Sequence, residues 1–326
     1  MLTTRLSNQR GSESMSVNMF GLSAVQKRER RVQTNTPAFI RRESDPSAPP
    51  EFRESSLKGV LRYWYRAVEQ EQDIKQLLKS EKLLFGGAGN KNEEAGRSLI
   101  TLSIQNRCET KKETLVLPHR GGGFRSNALN PGSSFQLITN ALKKHPLINE
   151  YEKAERYIDL MLLLGTFGMR SRRGAGSFQS IDSKPDNKQD LIKDIYGIMV
   201  DLGKKDIFKR GQGSSVILKA DANKLDPKRP QLRTVWIGKP FKSGSEIFNK
   251  ASDAGHKYNK KDEKKNARFL GSINPRVASP IIVKSIWIGE HYYPVISEVA
   301  TDKQVKNDQY TKNRDAFLGH LGVNQP

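Results

Sequence analysis

Three observations predict an α+β fold. Apolar residues recur at helical spacing around residues 57–68 and again at 157–164. Short runs at 98–105, 134–139 and 281–299 alternate, or are bounded by turn residues, as strands are. Between these classes lies a glycine- and arginine-rich stretch, residues 165–178, that leaves a helix and enters a strand. A P-loop or a dinucleotide-binding fold needs the opposite order, strand to helix, so both are excluded for this loop.

At 326 residues the chain is long enough to bury a full core, and the length suggests two domains. Its 56 Lys and Arg stand against 35 Asp and Glu, a formal net charge of +21, which favours a polyanionic partner. Nucleic acid comes first and an anionic membrane surface second, since no apolar run approaches the roughly 18 to 20 residues needed to span a bilayer. A single cysteine, Cys108, excludes an intrachain disulfide and a multi-cysteine zinc site and suits a reducing, cytoplasmic setting. Residues 1–33, rich in Ser, Arg and Gln and without a secretory apolar segment, read as a flexible basic arm.

Taken in order, residues 36–40 form a short edge strand followed by Arg41 and Arg42, and the prolines at 46, 49 and 50 make 43–50 a loop. A helix capped by Ser55 or Ser56 then buries Leu57, Val60, Leu61, Trp64 and Val68. Lys58, Arg62, Tyr65 and Arg66 gather on another face within about 100° of arc, either an ordinary wet face or a phosphate-binding one. Residues 85–90 form a turn, 98–105 and 115–117 strands. The loop 119–125 carries His119, Arg120, Phe124 and Arg125 around three glycines, as a hairpin tip or as a platform on which a base stacks. A strand at 134–139 and a helix at 150–164 lead to Gly165, which ends the helix in a left-handed conformation. Arg170, Arg172 and Arg173 follow among four glycines, with no acid between 165 and 180. Their forked donors, with nearby backbone amides, suit phosphate. Beyond a strand at 177–181 and a helix at 191–202, the basic linker 203–213 divides a domain of residues 34–203 from one of residues 204–326. Strands at 216–219 and 234–238, a helix from 245 that dissolves into the charge run 257–265, and the 281–299 hairpin complete the chain.

Little of this is catalytic. The five histidines are scattered, none at metal-ligand spacing, so neither a metal nor a cofactor is expected. His119 alone, beside Arg120, is placed to act as acid or base on a ribose 2′-hydroxyl. Paired carboxylates are absent from both Gly/Arg loops, so two-metal phosphodiester cleavage lacks ligands there.

The segment Gly-x-x-Gly-x-Arg-Ser-Arg-Arg-Gly-x-Gly-Ser at 165–177 resembles the glycine-rich loop of the RAMP superfamily of CRISPR RNA-binding proteins. Residues 53–67, containing Leu-Arg-Tyr-Trp-Tyr-Arg, are similar to a segment of the head subunit of the type III-B (Cmr) effector, and Arg276-Val-Ala-Ser-Pro280 to a further superfamily element. The chain departs from the family by Arg41-Arg42, where a glycine pair often stands, and by its amino-terminal arm. The resemblance implies one or two ferredoxin-like (RRM-like) βαββαβ domains. It implies a non-catalytic role near the 3′ end of the guide, with guide RNA, complementary target RNA and other effector subunits as partners. Lys58, Arg62, Arg66, Arg170, Arg172 and Arg173 are then the expected RNA contacts. The alternative is a stand-alone, metal-independent endoribonuclease of the same superfamily using His119, and a third reading is a basic scaffold that touches only protein.

Overall fold

The structure is a computed structural model that describes residues 24–40, 49–69, 71–87, 97–120, 123–219, 229–262 and 267–323; Arg41 and Arg42 lie outside these. The amino-terminal half comprises β1 (Val25–Thr34), α1 (Glu54–Val68), α2 (Ile74–Phe85), β2 (Thr101–Cys108), β3 (Lys111–Leu115), β4 (Arg125–Leu129), β5 (Ser134–Leu142), α3 (Tyr151–Leu164) and β6 (Phe178–Ser180). After α4 (Lys188–Asp201) come β7 (Phe208–Arg210), β8 (Ser215–Lys219), β9 (Gln231–Ile237), α5 (Gly244–Lys257), β10 (Lys261–Asp262) and β11 (Ala267–Arg268). The chain closes with β12 (Ile281–Ile288), β13 (His291–Ala300), α6 (Asp302–Val305) and α7 (Asp308–His320).

Two sheets carry the molecule. The first has the order β2-β5-β1-β6, with every neighbouring pair antiparallel. The second has the order β12-β13-β9-β8-β7, also antiparallel, and the pairs β3-β4 and β10-β11 are separate ribbons. In the second sheet the position beside β9 is filled by β8, which precedes β9 in the chain, and no strand follows α7 among the described residues.

The expectation of an arm over residues 1–33 needs correction from residue 25 on. Here the chain is β1, a central strand paired with β5 from Val25 to Gln33 and with β6 from Val32 to Thr34. Periodicity missed it because its inward face carries charge: buried Arg30 reaches Glu155 and Asp159, each at 2.7 Å, in place of an apolar side chain. The linker expected at 203–213 contains β7, whose Phe208 is fully buried. One apolar core runs from Leu61, Leu160 and Phe178 through Met199 and Phe208 to Leu232 and Ile286, so both sheets share it.

Side chains also join the sheet edges. The Gln179 carboxamide accepts from Trp287 N at 2.6 Å and donates to Trp287 O at 3.1 Å, standing in for a peptide unit between β6 and β12. Ser285 N donates to Ser177 Oγ, and Asn35 Nδ2 donates to Ser285 O. This pairing satisfies backbone groups that an open edge would leave to solvent.

Candidate nucleic-acid interface

The loop after α3 wraps around residues 36–40. Met169 N donates to Phe39 O, Gly176 N to Pro37 O, and Thr36 Oγ1 to Gly174 O. Residues 36–40 form no regular strand; Ala38 and Phe39 make single bridges to Leu129 and Met169. Gly165 does not take the expected left-handed conformation, for its φ is −81° and its ψ 149°. Glycine is required there by contact: a Cβ would lie 2.6 Å from Met161 O and 2.9 Å from Val60 Cγ1, where α3 crosses α1. At Gly176 φ is +63° and a Cβ would stand 1.9 Å from Phe167 O, so here both conformation and space demand glycine. The room these glycines leave is taken by the chain itself, not by a ligand.

The three loop arginines have separate fates. Arg173 is buried; it donates to Leu270 O at 2.7 Å and Ser279 Oγ at 3.0 Å, and its guanidinium lies 5.4 Å from the centre of the Phe317 ring. Burial, with Arg170 and Arg172 adding, pushes its pKa down. The expected phosphate contact at Arg173 is therefore corrected to an internal strut. Arg172 is half-buried; it donates to Ser279 O and lies over the Tyr63 ring at 5.2 Å. Burial pushes the Tyr63 phenol up and Arg172 pulls it the other way. Arg170, half-buried at φ +60°, carries a buried Nε without a hydrogen-bond partner among the described residues. Burial and Arg120 lower its pKa. A cation with an unsatisfied buried donor beside a second cation has the donors and the charge to accept an anion.

Arg120 belongs to the second Gly/Arg loop, so the two loops meet in space. That loop is the tip of the β3-β4 hairpin, and a 3-10 turn at Pro118–Arg120 rests on α5. His119 stacks on His256 of α5 at 4.8 Å between ring centres, with 23° between planes. Burial, His256, Arg170 and Arg120 lower the His119 pKa, and Asp253 opposes them. Phe124 is 47% exposed and Arg125 is exposed at the start of β4. His256 was invisible to sequence reading because nothing in spacing links it to His119; the fold alone stacks them.

The α1 face differs from expectation. Its cap is Arg53, without a side-chain cap bond, in place of Ser55 or Ser56. Residues 74–85, read as no element, form α2, and its buried Glu81 draws the cations inward. Arg66 Nη2 donates to Glu81 Oε1 at 3.0 Å, and Arg62 Nε stands 3.7 Å from the same oxygen. Arg62 also donates to Phe85 O at 3.0 Å and to Gly86 O, capping the α2 carboxyl end. Arg62 and Arg66, expected as RNA contacts, thus clamp α2, while Arg66 stays exposed. Lys58 remains half-buried, its pKa lowered by burial and by Arg62. Toward the loop, α1 presents Tyr63, Val60 and Gly59 across a groove from Arg172.

Residues 31–179 match the sequence model described as the RAMP superfamily. The unit built on the first sheet, which holds most of these residues, is thus similar to the RAMP superfamily. More particularly, the chain is similar to the Cmr1 subunits of Pyrococcus furiosus. It is 25% identical over 177 residues to the Cmr subunit Cmr1-1, a match covering 49% of this chain and 48% of that protein. It is 26% identical over 178 residues to Cmr1-2, covering 44% of this chain and 89% of that protein. The chain thus spans about half the length of the first relative. In fold it resembles the crystal structure of Cmr1 from Pyrococcus furiosus in its apo form, with TM-score 0.53 and 17% identity over 85% of this chain and 88% of the other. It also resembles a chain of the type III-B Cmr-beta complex bound to cognate target RNA, with TM-score 0.55 and 11% identity over 92% and 99%.

Proposed function

We propose that this chain is a non-catalytic RNA-binding subunit of a type III-B CRISPR effector, serving antiviral defence in the cytoplasm. It grips guide RNA and paired target RNA near the guide 3′ end, among other effector subunits. The similarity to Cmr1 subunits supports that setting. The first sheet, with α1 between β1 and β2 and α3 between β5 and β6, has the strand order of a ferredoxin-like βαββαβ domain. The second is a variant of it whose edge strand arrives from the preceding hairpin.

The observation that carries the reading is the meeting of Arg170 and Arg120 from loops distant in sequence, with Arg172 close to Arg173 in the same loop. Such a surface holds a sugar-phosphate chain and leaves sequence readout to base pairing. Arg172→Glu is expected to weaken single-stranded RNAs of unrelated sequence about equally in a filter-binding assay. Loss confined to one sequence contradicts the proposal.

One observation favours a second reading, a metal-independent endoribonuclease: His119 and His256 stack beside Arg120. Two imidazoles near phosphate are suited to general acid and base roles. Incubating repeat RNA with the protein in EDTA, alongside His119→Ala and His256→Ala, decides it, since cleavage lost in both variants establishes a nuclease.

A further inference from the structure

The groove between α1 and the glycine-rich loop has a volume of about 250 Å³ and is lined by residues including Ser56, Gly59, Tyr63, Ser171, Arg172 and Ile282. We propose that it receives a single nucleobase turned out of an RNA strand whose phosphates are held by the neighbouring arginines. This rests on the reading of the chain as RNA-binding.

Size, chemistry and one unexplained residue support it. The volume lies below the roughly 300–1,000 Å³ of sites that enclose drug-sized ligands, and is suited to one flat ring system. No Asp or Glu is among the lining residues, so an RNA strand meets no repulsion there. The walls pair apolar surface from Val60, Trp64 and Ile282 with hydroxyls from Ser56, Thr166 and Ser171. Of these, Thr166 Oγ1 already donates to Ser171 O at 2.9 Å. The Arg172 guanidinium, laid over Tyr63 at 5.2 Å, adds a flat cationic group, and guanidinium planes and aromatic rings are the surfaces on which unpaired RNA bases stack.

Gly59 is the unexplained residue. It sits inside α1, where glycine costs about 1 kcal/mol relative to alanine. Among the described residues nothing beyond its own stretch of helix lies within 4 Å of where its Cβ would be, and its φ is not positive, so neither packing nor backbone conformation there requires glycine. It is exposed, and its missing side chain leaves one wall of the groove low. A flat ligand from outside the chain would use that space.

The test compares binding of a fluorescein-labelled uridine 20-mer with that of a 20-mer of the same backbone lacking bases, for the wild-type protein, Gly59→Ala and Gly59→Leu. The alanine Cβ meets open space, both substitutions favour helix, and thermal melts check that the fold is kept. The wild-type protein is expected to prefer the base-bearing strand, and Gly59→Ala to keep only part of that preference. Gly59→Leu is expected to lose about tenfold of that preference while affinity for the abasic strand stays the same. If Gly59→Leu leaves the preference intact, or weakens both strands equally, the base pocket is overturned while RNA binding stands. If the wild-type protein binds neither strand, the proposed function itself fails, and the pocket with it.

Discussion

Arg172 and Arg173 share a backbone step yet do different work, because one guanidinium lies over Tyr63 at a groove edge and the other is enclosed by Leu270, Ser279 and Phe317. Removing Arg173 leaves the Leu270 carbonyl without its donor inside the protein, so Arg173→Ala is expected to cost about 2–4 kcal/mol in urea unfolding. Arg172→Ala is expected to cost under about 1 kcal/mol in the same titration while weakening RNA. Lys284 presents a further case. It is fully buried on β12, donating to Gly165 O at 2.6 Å with its ammonium 4.3 Å from the centre of the Phe178 ring, and burial lowers its pKa well below the usual lysine value. The unfolded chain therefore binds this proton more readily than the folded one. Stability is lost as pH falls from the unfolded value of about 10.4 toward the folded one and does not decline further below it. Measured by urea unfolding from pH 10 down to pH 7, Lys284→Met is expected to show a flatter profile than the wild-type protein; identical slopes contradict the assignment. None of these roles is legible from composition: an arginine in a Gly/Arg loop reads the same whether it faces solvent or a carbonyl.

Elements with apolar periodicity were legible, and those organised by charge were not. The stripe of α1, the helix α3, the strands β5 and β9 and the β12-β13 hairpin all follow from residue spacing. β1 escaped because Arg30 fills an inward position; α2 was overlooked although Ile74, Leu77, Leu78, Leu84 and Phe85 recur at helical spacing. Missing α2 had a direct cost: without Glu81, Arg62 and Arg66 read as a free cationic face. Since α2 holds them, Arg66→Ala is expected to lower the melting temperature by a few degrees yet change RNA affinity by less than about twofold. A large loss of RNA binding would return Arg66 to the interface. The glycine-rich loop was found by its sequence, but the reason for its glycines was not, because the close contacts at Gly165 and Gly176 come from α1 and from the loop's own backbone.

At the scale of the whole molecule, a division was expected near residue 203, and the apolar core that runs across that point was not legible in the sequence. Phe208, Leu232 and Ile286 cover apolar surface of the first sheet's helices, and Gln179 stitches the sheet edges. A fragment of residues 24–203 is accordingly expected to lack the near-ultraviolet circular dichroism of a fixed core, while the full chain unfolds in one transition. A fragment that melts cooperatively at the parent temperature would show two independent units. The same architecture brings Arg120 to Arg170, and Arg172 close by, making one cationic surface from two loops. With about four cations engaged, Lys58, Arg120, Arg170 and Arg172, log affinity for single-stranded RNA is expected to fall with log salt at a slope of roughly −3. The most direct measurement is that slope for the wild-type protein and for Arg120→Ala/Arg170→Ala. Joint phosphate contact predicts a fall in magnitude to about 1.4, whereas an unchanged slope would mean that the two loops do not hold the RNA backbone.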